Sequence, residues 1–258
     1  MQHLLVNTSL ITNKIAFMKR IILSLMLAFA TLVSYAQFGK KVVGNNKYTE
    51  VFHKVGEYNK LVVSNVKANV VYLDEVDSAG VVRIYGEENV VSLIDVSSEK
   101  ETVTIKTKGM KNSEHGLLMI YVFCSKISTI DLTGGVIFET NDPMKQTNMK
   151  LAITGDGQIQ IHNLVCDRLK ISLLGDGDVY IGGKSKEANY SIVGGGEIRA
   201  DKFEVENLSA KLIGNGNIGC NATKLLKATI TGVGNIYYRG KAELKSTIIG
   251  TGNLKPLQ

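Results

Sequence analysis

The sequence predicts an all-β protein whose C-terminal half is a parallel β-helix, a β-solenoid with a repeat of about 18–20 residues. Three observations predict it. A Gly-x-Gly-x-apolar motif recurs six times at nearly constant spacing, the positions around it carry aliphatic side chains in period-2 alternation, and no amphipathic helix of convincing length follows residue 36.

The glycine pairs are Gly155 and Gly157, Gly175 and Gly177, Gly194 and Gly196, Gly214 and Gly216, Gly232 and Gly234, and Gly250 and Gly252. The interval from one pair to the next never departs from the repeat length by more than a residue or so. Two residues before each first glycine stands a large aliphatic side chain: Ile153, Leu173, Ile192, Leu212, Ile230 and Ile248. Four residues after it comes Ile159, Val179, Ile198, Ile218, Ile236 or Leu254. Each repeat therefore reads as two period-2 strands joined at a glycine corner. An antiparallel meander turns roughly every 8 to 12 residues with signals on both sides, whereas glycine here marks one corner per repeat. A contour of roughly 60 Å at about 3.3 Å per residue suits one turn of a coil with two or three short strands. Stacking such coils piles each aliphatic column on itself and buries a continuous core, with glycine allowing the bend.

The exposed ends of a solenoid need blunting. Pro256 stands where a strand residue is expected and lacks a ladder donor, so it reads as the terminal cap. Residues 37–132 read as less regular β coils or hairpins covering the first glycine coil, and 133–258 as the regular part of one domain. Thr133-Gly134-Gly135-Val136-Ile137 reads as a degenerate seventh copy. Lys106 to His115 and Asn141 to Asn148 are the expected loops.

Residues 1–36 read as a leader. Met18, the expected initiator, is followed by Lys19 and Arg20, an uncharged apolar run from Ile21 to Val33, and Ser34-Tyr35-Ala36 as a cleavage site before Gln37. The run is shorter than the roughly 20 residues that span a bilayer, so the reading is export and not membrane insertion. Removing the leader takes away Lys14, Lys19 and Arg20 and no acid, leaving 27 basic and 24 acidic residues, a balance of +3. That dispersed charge does not predict nucleic-acid binding. Cys124, Cys166 and Cys220 are too few for a disulfide framework and read as core thiols, with one bridge left open.

The glycine columns, preceded by Lys60-Leu61-Val62-Val63, Asn69-Val70-Val71-Tyr72, Val103-Thr104-Ile105 and Leu118-Met119-Ile120-Tyr121-Val122, resemble the head GIN domain family from Lys47 to Leu254. The resemblance implies a right-handed β-helix, an adhesin-like role, a Bacteroidetes-like source and export to the envelope or beyond. It supplies no catalytic motif. Cys124 departs from it, standing where such sequences suggest a proline, and this puts the local turn in question.

Sharper chemistry finds little purchase. Gly214-Asn-Gly216-Asn-Ile-Gly219 matches the dinucleotide fingerprint in letters but is followed by a β-prone segment instead of a helix, so no cofactor is expected. Asp156, Asp176 and Asp178 invite a calcium reading, yet their columns continue as Gly, Asn, Val, Thr and as Glu, Asn, Asn, Asn, so they read as solvated turn residues and no metal is assigned. The second column ends in Asn217, Asn235 and Asn253, which predicts a stacked amide ladder. His53, His115 and His162 show no metal-ligand spacing. The expected role is an exported, non-enzymatic β-helix: an adhesin or cell-envelope interaction module in the periplasm, at the outer membrane or outside the cell. Its partner would be a protein or glycan, and a homo-oligomer stays open. The alternative is a carbohydrate-active β-helix enzyme, a polysaccharide lyase or hydrolase, with paired carboxylates such as Asp176 and Asp178. The absence of Trp and the short coils weigh against it.

Overall fold

The computed structural model describes residues 41–257 other than 109–113 and 125; the expected leader and the centre of the first expected loop lie outside them. In chain order the strands are β1 (Tyr48–Lys54), β2 (Lys60–Ser64), β3 (Asn69–Leu73), β4 (Val81–Glu87), then the one-turn helix α1 (Glu88–Val91), β5 (Ile94–Glu99), β6 (Thr102–Thr107), β7 (Met119–Phe123), β8 (Thr129–Thr133) and β9 (Ile137–Thr140). There follow β10 (Met144–Gly155), β11 (Gln158–Gly175), β12 (Asp178–Gly194), β13 (Glu197–Gly214), β14 (Asn217–Gly232), β15 (Asn235–Arg239), β16 (Glu243–Gly250) and β17 (Asn253–Pro256). The long strands bend at corners, so each supplies more than one side of a coil.

Parallel pairing stacks these coils into a β-helix. The side that precedes the glycine corner runs β6, β2, β8, β10, β11, β12, β13, β14, β16. The side that follows it runs β7, β3, β9, β11, β12, β13, β14, β15, β17. A third, shorter side stacks Met144, Leu164, Gly183 and Phe203 in register. The glycines align along the axis: Gly155 pairs with Gly175, Gly194 with Gly214, Gly214 with Gly232, and Gly232 with Gly250. From Gly155 to Gly250 these first glycines hold φ between +109° and +136°, a region essentially closed to side chains. Gly134, at φ +86°, sits under Gly155 as the seventh member.

Burial follows the columns. Ile153, Leu173, Ile192, Leu212 and Ile230 are each 2 % exposed or less, and Ile159, Val179, Ile198, Ile218 and Ile236 are as deeply enclosed. At the far end the packing lapses: Leu244 and Ile248 of the last coil are each 42 % exposed. There Asn253 and Leu257 donate backbone N–H groups to Gly234 and Tyr238. The alternation of parallel pairing then turns the nitrogen of Pro256 to the free edge, where its missing N–H leaves no donor for another strand.

The chain does not stack in the order in which it is written. The coil β2–β3, first in sequence, lies between β6–β7 and β8–β9. Leu61 and Val63, Val103 and Ile105, and Ile130 and Leu132 carry the same inward code and are all fully buried, so apolar pattern alone cannot rank them. Beyond β6–β7 the stack ends in antiparallel pairs, β5 on β6, β4 on β7 and β1 on β4. Asn141 to Asn148, expected as a loop, is corrected: it becomes strand at Met144. Met144 and Met149 point inward there, each 2 % exposed, and the polar residues between them face outward, which hid the period.

All three cysteines are free and buried. At Cys124 the N–H donates to Leu73 O at 3.3 Å and the thiol to Tyr58 O at 3.0 Å. A proline would forfeit both bonds, which accounts for cysteine at this turn. Burial pushes the thiols of Cys166 and Cys220 up to about 12, making them unreactive at neutral pH.

A carboxylate fastens the antiparallel end. Glu87, 3 % exposed at the end of β4, accepts the backbone N–H of Asn46 at 2.7 Å and of Gly116 at 2.8 Å. The N–H of Gly116 first, then that of Asn46, holds its carboxyl below the usual glutamate range. A lowered folded-state pKa gives stability that is complete above the unfolded value and is lost as pH falls through the folded one. Glu87→Gln is therefore expected to flatten the acid limb of a melting-temperature profile while leaving hydrogen exchange in the central coils unchanged. An identical acid limb in the variant would reject this role for Glu87.

Candidate interaction faces

The post-glycine strands present an outer column of Gln158, Asp178, Glu197, Asn217, Asn235 and Asn253 in register. Stacked rungs about 4.8 Å apart bring identical amides within reach. Asn235 donates from Nδ2 to Asn217 Oδ1 at 3.3 Å, and Asn253 to Asn235 Oδ1 at 3.2 Å. In the same column Asp178 and Glu197 are adjacent, so the carboxylate partner of Asp178 is Glu197 across the rungs and not Asp176 along the chain. Burial, then the charge of Glu197, raises the Asp178 carboxyl. Asp176 belongs to the corner, where its Oδ1 accepts the N–H of Gly195 at 3.1 Å. Among the described residues no three His, Cys, Asp or Glu side chains converge as a metal site. The twelve corner glycines serve as backbone geometry: Gly196, Gly216, Gly234 and Gly252 each lie so close to the carbonyl of the glycine one rung below that a Cβ would stand 2.2 or 2.3 Å from it.

A broad concavity lies on the third side, a groove of about 630 Å³ crossing four rungs. One column along it is Lys145, Val165, Lys184 and Glu204, in register. The other runs through Asp167, Lys186 and Glu206. Between them Cys166 and Ser185 are 6 % and 7 % exposed. Lys186 pairs with Asp167 at 2.9 Å and Lys224 with Glu206 at 2.6 Å. The hydrogen bond from Lys186 holds the Asp167 carboxyl below its usual range and, reciprocally, raises the Lys186 ammonium. Lys145 and Lys184 stand two rungs apart, roughly 10 Å, and form no ion pair among the described residues. The groove is thus a mixed-charge strip with two uncommitted cations over a half-apolar floor. Reasoning on the corners alone passes over it. Its signal was present in Asp167, Lys186, Glu206 and Lys224, charged residues that recur in the phase of the repeat.

The model for the family described as "Putative auto-transporter adhesin, head GIN domain" matches residues 57–242. The solved structures that share the fold include three from Bacteroides and Parabacteroides species. A protein described as a putative adhesin from Bacteroides fragilis is 26 % identical with a TM-score of 0.79, over 84 % of this chain and all of that one. A second so described, from Parabacteroides distasonis, is 24 % identical with a TM-score of 0.67, over 84 % of this chain and all of the other. One described as a putative lipid binding protein, also from Parabacteroides distasonis, is 20 % identical with a TM-score of 0.69, over 85 % and 100 %. No curated protein matches the chain. With more than half its length matched by the family model, the chain belongs to the head GIN domain family.

Proposed function

We propose that the chain is an exported, non-catalytic adhesin or envelope-interaction module that meets a protein or glycan partner along the third side of its β-helix. The groove over four rungs carries this reading. It is a broad concavity of about 630 Å³, it repeats in phase with the coils, and it keeps Lys145 and Lys184 uncommitted while the neighbouring charges neutralise one another. Such a strip suits contact with an elongated partner, where many modest contacts add up along a rigid support. Catalysis on polysaccharide is the weaker reading. The coils turn on short corners without inserted loops, and Asp176 and Asp178 serve different sides of one corner.

The test is adhesion of whole cells and of purified envelope glycans to beads coated with the chain. Lys145→Glu with Lys184→Glu is expected to lower retention at least tenfold with an unchanged circular dichroism spectrum. Equal retention by the variant would remove the groove from the account.

A further inference from the structure

The antiparallel end of the stack leaves two strand edges, and they are guarded differently. Among the described residues β5 pairs with β6 and β1 with β4, and neither has a strand along its far edge. Such an edge accepts another strand unless proline, a bulge or charge of one sign turns it away. β5 carries Asp95 and Glu99 and no base, a single sign that repels a copy of itself. β1 runs Tyr-Thr-Glu-Val-Phe-His-Lys from Tyr48 to Lys54, without proline, and pairs with β4 without a break in register. Its exposed face carries Tyr48, Glu50, Phe52 and Lys54. Tyr48 is stacked on Tyr85 with ring centroids 5.7 Å apart. Phe52 has no such cover and is 61 % exposed.

The charges along β1 form an inverted pattern about Phe52. Glu50 stands two residues before it and Lys54 two after, Lys47 five before and Glu57 five after. Every acid is thus mirrored by a base. Two copies of such a strand, laid antiparallel with a two-fold axis through Phe52, set Glu50 of each copy against Lys54 of the other. Phe52 then meets Phe52, Val51 meets His53 on the opposite face, and Lys47 approaches Glu57 just beyond the strand ends. The register is sharply selected. Moving the axis by one residue sets Glu50 or Lys54 against Phe52, and moving it by two sets Glu50 against Glu50 or Lys54 against Lys54. Like charges directly opposite one another are destabilising. The groups are also available for the contact. Lys47, Lys54 and Glu57 form no ion pair among the described residues, and Glu50 is held at the strand by Arg83 at 3.5 Å while staying 41 % exposed.

We propose that two copies of this chain dimerise through β1, edge to edge and antiparallel, so that β7, β4 and β1 of both copies form one continuous sheet across a two-fold axis at Phe52. The inference is independent of the adhesion reading. Sedimentation equilibrium of the purified full chain is expected to show a monomer–dimer equilibrium in the micromolar range. Lys54→Glu and Glu50→Lys, both at exposed positions, are each expected to weaken it about tenfold, since each turns two attractive pairs into repulsive ones. An equimolar mixture of the two variants sets acid against base again at both places and is expected to dimerise within about threefold of the unaltered chain. A variant that had merely misfolded would give no such rescue. A chain that stays monomeric throughout the micromolar range, a dimer indifferent to both substitutions, or a mixture no tighter than either variant alone would overturn the proposal.

Discussion

Replacing Gly214 with alanine is expected to cost about 3–5 kcal/mol, the combined scale of backbone strain and overpacking. Gly214 holds φ +124°, and a Cβ there would stand 2.4 Å from Gly194 O, a backbone atom fixed by the rung below. Neither partner can give way without breaking register, because Gly214 also pairs with Gly232 above it. Gly134 offers the contrast. It too has a positive φ, +86°, but nothing lies within 4 Å of a Cβ built on it, so Gly134→Ala is expected to cost only about 1–2 kcal/mol. Urea denaturation of both variants checks the ordering, and equal losses would mean that rung-on-rung contact does not govern the corner.

Ile192→Ala is expected to cost about 2–5 kcal/mol, and Ile248→Ala less than about 1 kcal/mol, although both side chains occupy the same column of the repeat. The difference lies in their neighbours. Ile192 is fully buried between Leu173 and Leu212, so truncation leaves a cavity enclosed on both sides, whereas Ile248 packs on Ile230 and is 42 % exposed above it. Thermal melts of the pair decide the matter. In a stack of this kind the terminal coil frays independently, so the Ile248 variant is expected to alter hydrogen exchange in β16 and little else.

The regular coils were legible because each repeat states its geometry in one line of sequence. Ile153 to Ile248 give the inward column and Gly155 to Gly250 give the corner, and parallel stacking converts each list into a continuous physical object. The antiparallel end was less legible for a reason that is equally physical. Leu61, Val103 and Ile130 carry the same inward signal, and nothing local tells a strand which of several equivalent edges it will pair with. The order β6, β2, β8 is set by pairing across distant segments, including the backbone bonds of Asn59 and Lys60 to Glu101 and of Ser128 to Asn59. Polarity misled at Met144, where the exposed Pro143 and Lys145 flank an inward thioether. The amide column of Asn217, Asn235 and Asn253 could be read from spacing alone. The groove could not, since it depends on which charges face across a side.

The stack itself is tested most directly by cysteine pairs on its outer surface. Lys211, Thr229 and Thr247 occupy successive rungs in register, so neighbours lie about 4.8 Å apart and the outer two roughly 10 Å. Disulfides require Cα atoms about 4.4–6.8 Å apart. Lys211→Cys with Thr229→Cys, and Thr229→Cys with Thr247→Cys, are expected to link on mild oxidation, while Lys211→Cys with Thr247→Cys stays open. Linkage of the outer pair, or failure of both neighbouring pairs, would contradict a helix that climbs one rung for each glycine-marked repeat.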